Sequence, residues 1–217
     1  MERKHIGVIG AILLIALSGC ATVSVNAEVG DANTVDRYEL NITTSTTVYT
    51  ILESSAQEDG YENLEEAFTD EEFDDTAAES FEYNEEIDGN DATISLLITG
   101  LNVSQSDSIS IEEEDGELVY RDDIFLDDEF DPAETETTEG LVIEYELEMP
   151  SEITDSNADE VDGNTATWSR SGEDAYRGFV AEAQSPPPTD NPVPGFGVSA
   201  AAIALASAAL IGAKREF

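Results

Sequence analysis

The segment Leu141-Val142-Ile143-Glu144-Tyr145-Glu146-Leu147-Glu148-Met149 alternates apolar residues with glutamates at 144, 146 and 148. Successive side chains of a strand point to opposite faces, so this pattern is stable only as a β-strand with one face in a core and the other in water. The chain must therefore build a sheet that is covered on one side. Shorter runs with the same texture are Tyr38-Leu40-Ile42, Val48 to Leu52, Ile94-Leu96-Ile98, Ile109-Ile111, Leu118 to Tyr120, Thr165 to Trp168 and Tyr176 to Ala183. Asp88-Gly89-Asn90, Asp115-Gly116 and Asp162-Gly163-Asn164 punctuate them, and such dipeptides accept the positive φ of tight hairpins.

Between Ala56 and Ser80 the period changes. Tyr61, Leu64 and Phe68 recur at helical spacing, and Thr69 with Glu72 reads as a capping box opening a second short helix that carries Phe73 and Ala77. Ile124-Phe125-Leu126 reads as an edge strand or loop anchor, and Asp127 to Gly140 as a loop. The expected fold is α+β, an antiparallel β-sheet meander with a short helical pair on one face, spanning residues 34–184.

What kind of water this sheet faces follows from charge. The chain has 50 acidic residues against 8 basic ones, a formal charge of −42, and between residues 20 and 195 the bases are Arg37, Arg121, Arg170 and Arg177, with no Lys or His. Nucleic acid is excluded as a partner, since its phosphates need a basic surface. In dilute buffer the self-repulsion opposes compaction, whereas at about 1 M salt the screening length is roughly 3 Å and neighbouring carboxylates hardly repel. Acid spread along the whole core, with the few bases all Arg, resembles the proteins of extreme halophiles, above all haloarchaea.

Both ends read as addresses. Arg3 and Lys4 precede the apolar run Ile6 to Leu17, too short to span a bilayer comfortably, and Leu17-Ser18-Gly19-Cys20 follows. This resembles a secretory signal peptide, residues 1–19, closing on a lipobox whose thiol, Cys20, receives a lipid, with residues 20–33 as a lipidated N-terminal linker. No twin-arginine pair is present, so the general secretion route is expected. With the chain's one Cys lipidated, no disulfide can form.

At the other end, residues 185–193 are a Pro-rich linker that favours an extended stalk. Pro194-Gly195-Phe196 follows, then an Ala-rich stretch and the pair Lys214-Arg215. Gly195 to Ala213 carries no charge over 19 residues, enough for a transmembrane helix, and the basic pair would stay cytoplasmic, leaving the acidic core outside. Residues 194–217 resemble a PGF-CTERM sorting signal, which implies cleavage by an archaeosortase and transfer to a membrane lipid. The alternative is a permanent single-pass anchor. The expected partners in maturation are thus signal peptidase, archaeosortase and the membrane lipid anchor, and the expected location is the external face of the cell membrane. Two sequons, Asn41-Ile42-Thr43 and Asn102-Val103-Ser104, are candidate N-glycosylation sites in that location.

The opening Tyr38-Glu39-Leu40-Asn41-Ile42 with a helical insert, and the closing Met149-Pro150-Ser151-Glu152-Ile153-Thr154 through Val161-Asp162-Gly163-Asn164-Thr165-Ala166-Thr167-Trp168, resemble the LppM-type lipoprotein domain. The resemblance covers about residues 34 to 184 and departs from the bacterial pattern in acidic insertions around 70 to 90 and 127 to 139. It implies an α+β domain behind a lipidated Cys, an envelope location and contact with lipids or glycolipids, and it supplies no catalytic residues. Trp168 is expected inside the core.

The chemistry available after processing is narrow. Without His, Lys or a free thiol there is no Ser-His-Asp or Cys-His nucleophile, no Schiff base and no His- or Cys-ligated zinc. Asp155-Ser156-Asn157-Ala158-Asp159 places Asp155, Asn157 and Asp159 as opening ligands of a calcium loop, but Glu160 stands where the turn glycine belongs and Ala166 where the closing glutamate belongs. Asp122-Asp123, Asp127-Asp128-Glu129 and Glu112 to Asp115 are weaker cation collectors. No metal site is expected on these grounds, and no cofactor. A glycosidase needs two carboxylates facing one cleft, one with a raised pKa, and no pair stands out. The leading expectation is a non-catalytic surface lipoprotein that binds a lipid, a glycan or an envelope protein, a lipid being held by Leu64, Phe68, Phe73, Ile94 and Leu96. A cation-dependent adhesion or structural module is the alternative, and a carboxylate hydrolase the third reading.

Overall fold

The computed structural model describes residues 21–71, 77–106, 108–123, 140–176 and 178–188. Its elements run β1 (Ala21–Asp31), β2 (Thr34–Ser45), α1 (Thr46–Asp59), α2 (Leu64–Glu71), β3 (Ser80–Asp88), β4 (Asp91–Asn102), a 3₁₀ turn (Val103–Gln105), β5 (Ile109–Glu114), β6 (Glu117–Asp122), β7 (Leu141–Glu148), β8 (Asp155–Ser156), β9 (Glu160–Asp162), β10 (Thr165–Ser171), α3 (Glu173–Tyr176) and β11 (Ala181–Ser185). The class is α+β and mostly antiparallel, as expected. The strands divide into a seven-stranded sheet, β3-β4-β2-β1-β7-β10-β9, and a four-stranded one, β5-β6-β11-β8. The order is more than a meander, because β1 and β7 are neighbours and run parallel.

Residues 21–31, expected within the linker, instead form β1 near the centre of the large sheet, between β2 and β7. Ala21, Val23, Val25, Ala27 and Val29 are buried, and Thr22, Ser24, Asn26 and Glu28 point the other way. The alternation is present but written in small residues, which makes a weaker signal than Leu against Glu. The described fold thus includes residues 21–33, which the expected 34–184 domain left out.

Val48 to Leu52, expected as a strand, lies in helix α1. Its β-branched and aromatic residues favour strands locally, but Ser45 caps the helix by accepting from the Val48 amide at 3.4 Å. Val48, Leu52 and Ala56 then share the buried stripe. Gly60 closes the helix at φ +104°, its amide donating back to Ala56 and Gln57. Thr69, expected to open a second helix with Glu72, lies inside α2; Glu72 and Phe73 fall outside the described residues. The stretch from Tyr176 to Ala183, read as one strand, splits into the end of α3 and β11, in which Ala181, Ala183 and Ser185 face inward. Ile124 to Glu139 lies outside the described residues.

The three turn dipeptides fall where expected. Asp115 and Gly116, at φ 52° and 87°, form the two-residue link of the β5–β6 hairpin, in which Glu114 pairs with Glu117.

The core lies between layers. One registered row of the large sheet reads Trp168, Tyr145, Val25, Leu40, Leu96 and Tyr83. Helix α1 packs on β2 and β4, and α2 on α1, so the helical pair covers one part of this face. The four-stranded sheet covers another part, reaching Tyr38 and Tyr145 from β6. Trp168 is fully buried.

The two ends of this body lie apart. Ala21 pairs with Leu141 and, seven residues further up β1, Glu28 pairs with Glu148, which pairs with Thr165. The Gly163 carbonyl beside that end accepts from Ile153 at 2.9 Å, and the Gln184 carbonyl accepts from Thr154 at 2.9 Å. The chain therefore leaves β11 near one end of the large sheet and begins β1 at the other, about 23 Å away along the strands.

Candidate functional site

The run 155–162 crosses from one sheet to the other: β8 pairs with β11 in the small sheet, and β9 with β10 in the large one. Asn157 sits on the crossing. Its Oδ1 accepts from the Trp168 indole at 2.8 Å and from the Glu182 amide at 3.1 Å, while its Nδ2 donates to the Val180 carbonyl at 2.8 Å. The carboxamide joins both sheets and gives the buried indole N–H its acceptor.

Asp159 accepts from the Ser169 amide at 2.8 Å and from the Arg170 guanidinium. The backbone bond from Ser169, and then Arg170, hold its carboxyl below the usual carboxylate range. Arg170 in turn lies over the Phe179 ring, 5.3 Å from its centroid. Asp155 accepts from the Ser156 amide at 3.0 Å. The candidate calcium ligands are thus engaged separately in strand pairing and ion pairing. Among the described residues no group of three or more His, Cys, Asp or Glu is placed to hold a metal.

Asp122, read from sequence as half of a weak cation-collecting pair, is one of the most buried polar groups. Its Oδ2 accepts from Tyr145 at 2.7 Å, Tyr38 at 3.1 Å and Tyr120 at 3.4 Å, and the Tyr120 and Tyr145 hydroxyls are 2.6 Å apart. All four residues are at most 2% exposed. Tyr38 and Tyr145 come from the large sheet, and Tyr120 and Asp122 from β6 of the small one. Burial, and then the charge of Asp122, push the Tyr120 and Tyr145 phenols well above their ordinary range. Tyr145 also meets Trp168 and Phe179 edge-on, at 5.5 and 6.2 Å. Strand alternation carried the signal for this cluster: Leu118, Tyr120 and Asp122 share one face of β6. Chemically the carboxylate is a saturated acceptor closed off from solvent. Among the described residues it is also the one carboxylate that is buried.

The hydrophobic residues proposed to hold a lipid are in the core: Leu64, Phe68, Ile94 and Leu96 are all buried in the main cluster, and Phe73 falls outside the described residues. The outward side of the large sheet is different. Thr22, Thr43 and Thr93, and Ser24, Asn41 and Ser95, make two registered rows of hydroxyls and amides across β1, β2 and β4, with Asn26 opposite Glu39 in the next row. Glu144, Glu146 and Glu148 of β7 border them on one side, and Glu82 and Glu86 of β3 on the other.

The sequons differ in setting. Asn41 is half-buried in mid-strand, its Nδ2 donating to Glu39 at 3.1 Å. Asn102 is exposed at the end of β4, and its Oδ1 caps the 3₁₀ turn. Leu17, Ser18, Gly19 and Cys20, and Pro194, Gly195 and Phe196, lie outside the described residues, as does the expected membrane span. Among the described residues no helix is long and apolar enough to cross a membrane.

No family model matches the chain. An uncharacterized protein of Archaeoglobus fulgidus is 32% identical over 203 residues, which cover 92% of this chain and 90% of that protein. The chain belongs to the same family as that protein. The matched length exceeds that of the body between Ala21 and Ser185, so the likeness continues into the end segments. Among solved structures, the folded domain of Mycobacterium tuberculosis LppM, determined by NMR, is similar with a TM-score of 0.49 and 10% identity, over 80% of this chain and 93% of that domain.

Proposed function

We propose that the chain is a non-catalytic cell-surface lipoprotein, carried on the external face of the membrane by a lipid on Cys20 and a C-terminal sorting segment at Pro194-Gly195-Phe196. The observation that supports this best is where the described strands lie relative to the processing signals. The first begins at Ala21, the residue after the lipid acceptor, and the last ends at Ser185, where the Pro-rich segment begins. The sequence signals for processing fall outside the described strands. Family likeness that extends past the body fits ends that belong to the protein's design.

A lipid at Cys20 would hold the Ala21 end of the large sheet at the bilayer, with no spacer between. The outward patch of hydroxyls and amides, ringed by glutamates, and the far end of the sheet are then the surfaces offered to the cell exterior. Their hydroxyls and amides suit a glycan or an envelope protein as ligand better than an acyl chain, which would need access to the packed residues Leu64, Phe68, Ile94 and Leu96.

Cells making the full chain provide the test. Membrane and cytoplasmic fractions are probed for the chain, and intact cells are treated with proteinase K in the salt they grow in. The expected result is a membrane-bound chain whose body is digested on intact cells. A chain found in the cytoplasmic fraction and protected until lysis would overturn the reading.

A further inference from the structure

We infer that Asn102 is the glycan acceptor of this domain and that Asn41 is not. The inference rests on the external location proposed above and goes beyond it by choosing between two equivalent sequence motifs on geometry.

Transfer to asparagine joins Nδ2 to the anomeric carbon of a glycan carried on a lipid phosphate. The carbon–oxygen bond to the phosphate breaks, the phosphate leaves with the electron pair, and the amide nitrogen gives up one proton. Nδ2 therefore has to be accessible, and donation to Oδ1 polarises the amide toward reaction. At Asn102 both conditions hold. The residue is exposed, and Oδ1 accepts from the Ser104 hydroxyl at 2.6 Å and from the Ser104 amide at 3.1 Å. This Asx turn brings the third residue of the motif onto the carboxamide of the first. The surrounding backbone is fixed, with Asn102 donating to the Ala77 carbonyl at 2.7 Å and Val103 to that of Asn33 at 3.0 Å. Nothing in the fold has to move for the sequon to be presented.

At Asn41 neither condition holds. β2 is hydrogen-bonded on both sides, Asn41 pairing with Ser24 of β1 and Ser95 of β4. Nδ2 is engaged with Glu39. Thr43 lies two residues along an extended strand, which separates its hydroxyl from the Asn41 carboxamide by about 7 Å. Asn102 also lies beside the Asp31-to-Thr34 turn, at the opposite end of β1 from Ala21 and so away from a bilayer that holds Cys20.

The full-length chain is purified from the cells that naturally make it, digested, and its glycopeptides are mapped by mass spectrometry beside a fractionation of the same cells. The peptide containing Asn102 is expected to carry a glycan and the peptide containing Asn41 to be unmodified. Asn102→Gln and Ser104→Ala should each lose the mass of one glycan, whereas Ser104→Thr and Asn41→Gln should retain it. An unmodified Asn102 or a glycan on Asn41 would overturn the inference wherever the chain is found. A chain in the cytoplasmic fraction would overturn the location reading instead.

Discussion

The carboxamide oxygen of Asn157 lies 2.8 Å from the indole nitrogen of Trp168, and through that contact a residue between the two sheets holds the largest side chain of the core. The same carboxamide binds Val180 and Glu182, so the position that looks like a calcium ligand in sequence is a stitch between sheets. Asn157→Leu strands a buried indole N–H, the Glu182 amide and the Val180 carbonyl, and should cost about 2–4 kcal/mol. Asn157→Asp keeps the acceptor and should cost less. Urea unfolding in molar potassium chloride, followed by Trp168 fluorescence, checks both values.

Calcium should do little for this chain beyond its ionic strength. Asp159 already serves Ser169 and Arg170, and Asn157 serves both sheets. Thermal unfolding with millimolar calcium, at constant ionic strength, is expected to match the calcium-free midpoint. A midpoint that rises with calcium and falls back on chelation would favour the cation-dependent module.

Asp122→Ala removes the acceptor shared by Tyr38, Tyr120 and Tyr145 and leaves their hydroxyls facing one another in a closed core. The expected loss is about 3 kcal/mol or more, and Asp122→Asn should fall between the two. Equilibrium unfolding of the variants measures it.

The tyrosine cluster also predicts an alkaline limit. Burial, and then the Asp122 charge, keep Tyr120 and Tyr145 protonated in the folded chain well above the pH near 10 at which unfolded tyrosines ionise. The unfolded chain therefore releases these protons first. The stabilisation is complete below about pH 10 and is lost as the pH rises beyond it, by about 1.4 kcal/mol per pH unit for each phenol. Absorbance at 295 nm and far-ultraviolet circular dichroism should change together for these groups. Their ionisation ahead of unfolding would show them to be accessible.

Low salt should unfold the body. The ion pairs Arg37–Glu39, Arg121–Glu182 and Arg170–Asp159 are set on partly exposed side chains. Pairs of this kind contribute little, and they leave most of the −42 charge uncompensated. Below about 1 M salt the screening length grows past the spacing of neighbouring carboxylates and repulsion opposes the fold. Circular dichroism across a potassium chloride series tests this, and a native spectrum in dilute buffer would contradict it.

What could be read from sequence followed contrast. β7 was legible because Leu, Ile and Tyr alternate with Glu, and the Asp115-Gly116 hairpin because its backbone needs positive φ. β1 was not, since Ala and Val against Thr, Ser and Asn give the same alternation with little amplitude. Helix α1 was hidden by its β-branched opening, and only the cap at Ser45 and the Val48, Leu52, Ala56 spacing distinguish it. The stitch at Asn157 and the cluster at Asp122 depend on contacts between sheets, with Asp122 lying 84 residues from Tyr38, a separation no local pattern spans. For Asp122 the alternation of β6 pointed inward, but an acidic chain makes each Asp look like a surface charge.

The central claim concerns Cys20, and the mass of the mature N-terminal peptide tests it most directly. From the full chain isolated from its own membranes, that peptide should begin at Cys20 and carry the mass of a lipid, and Cys20→Ser should leave an uncleaved, unlipidated precursor. A mature chain that retains residues 1–19, or that begins at an unmodified Cys20, would contradict the account.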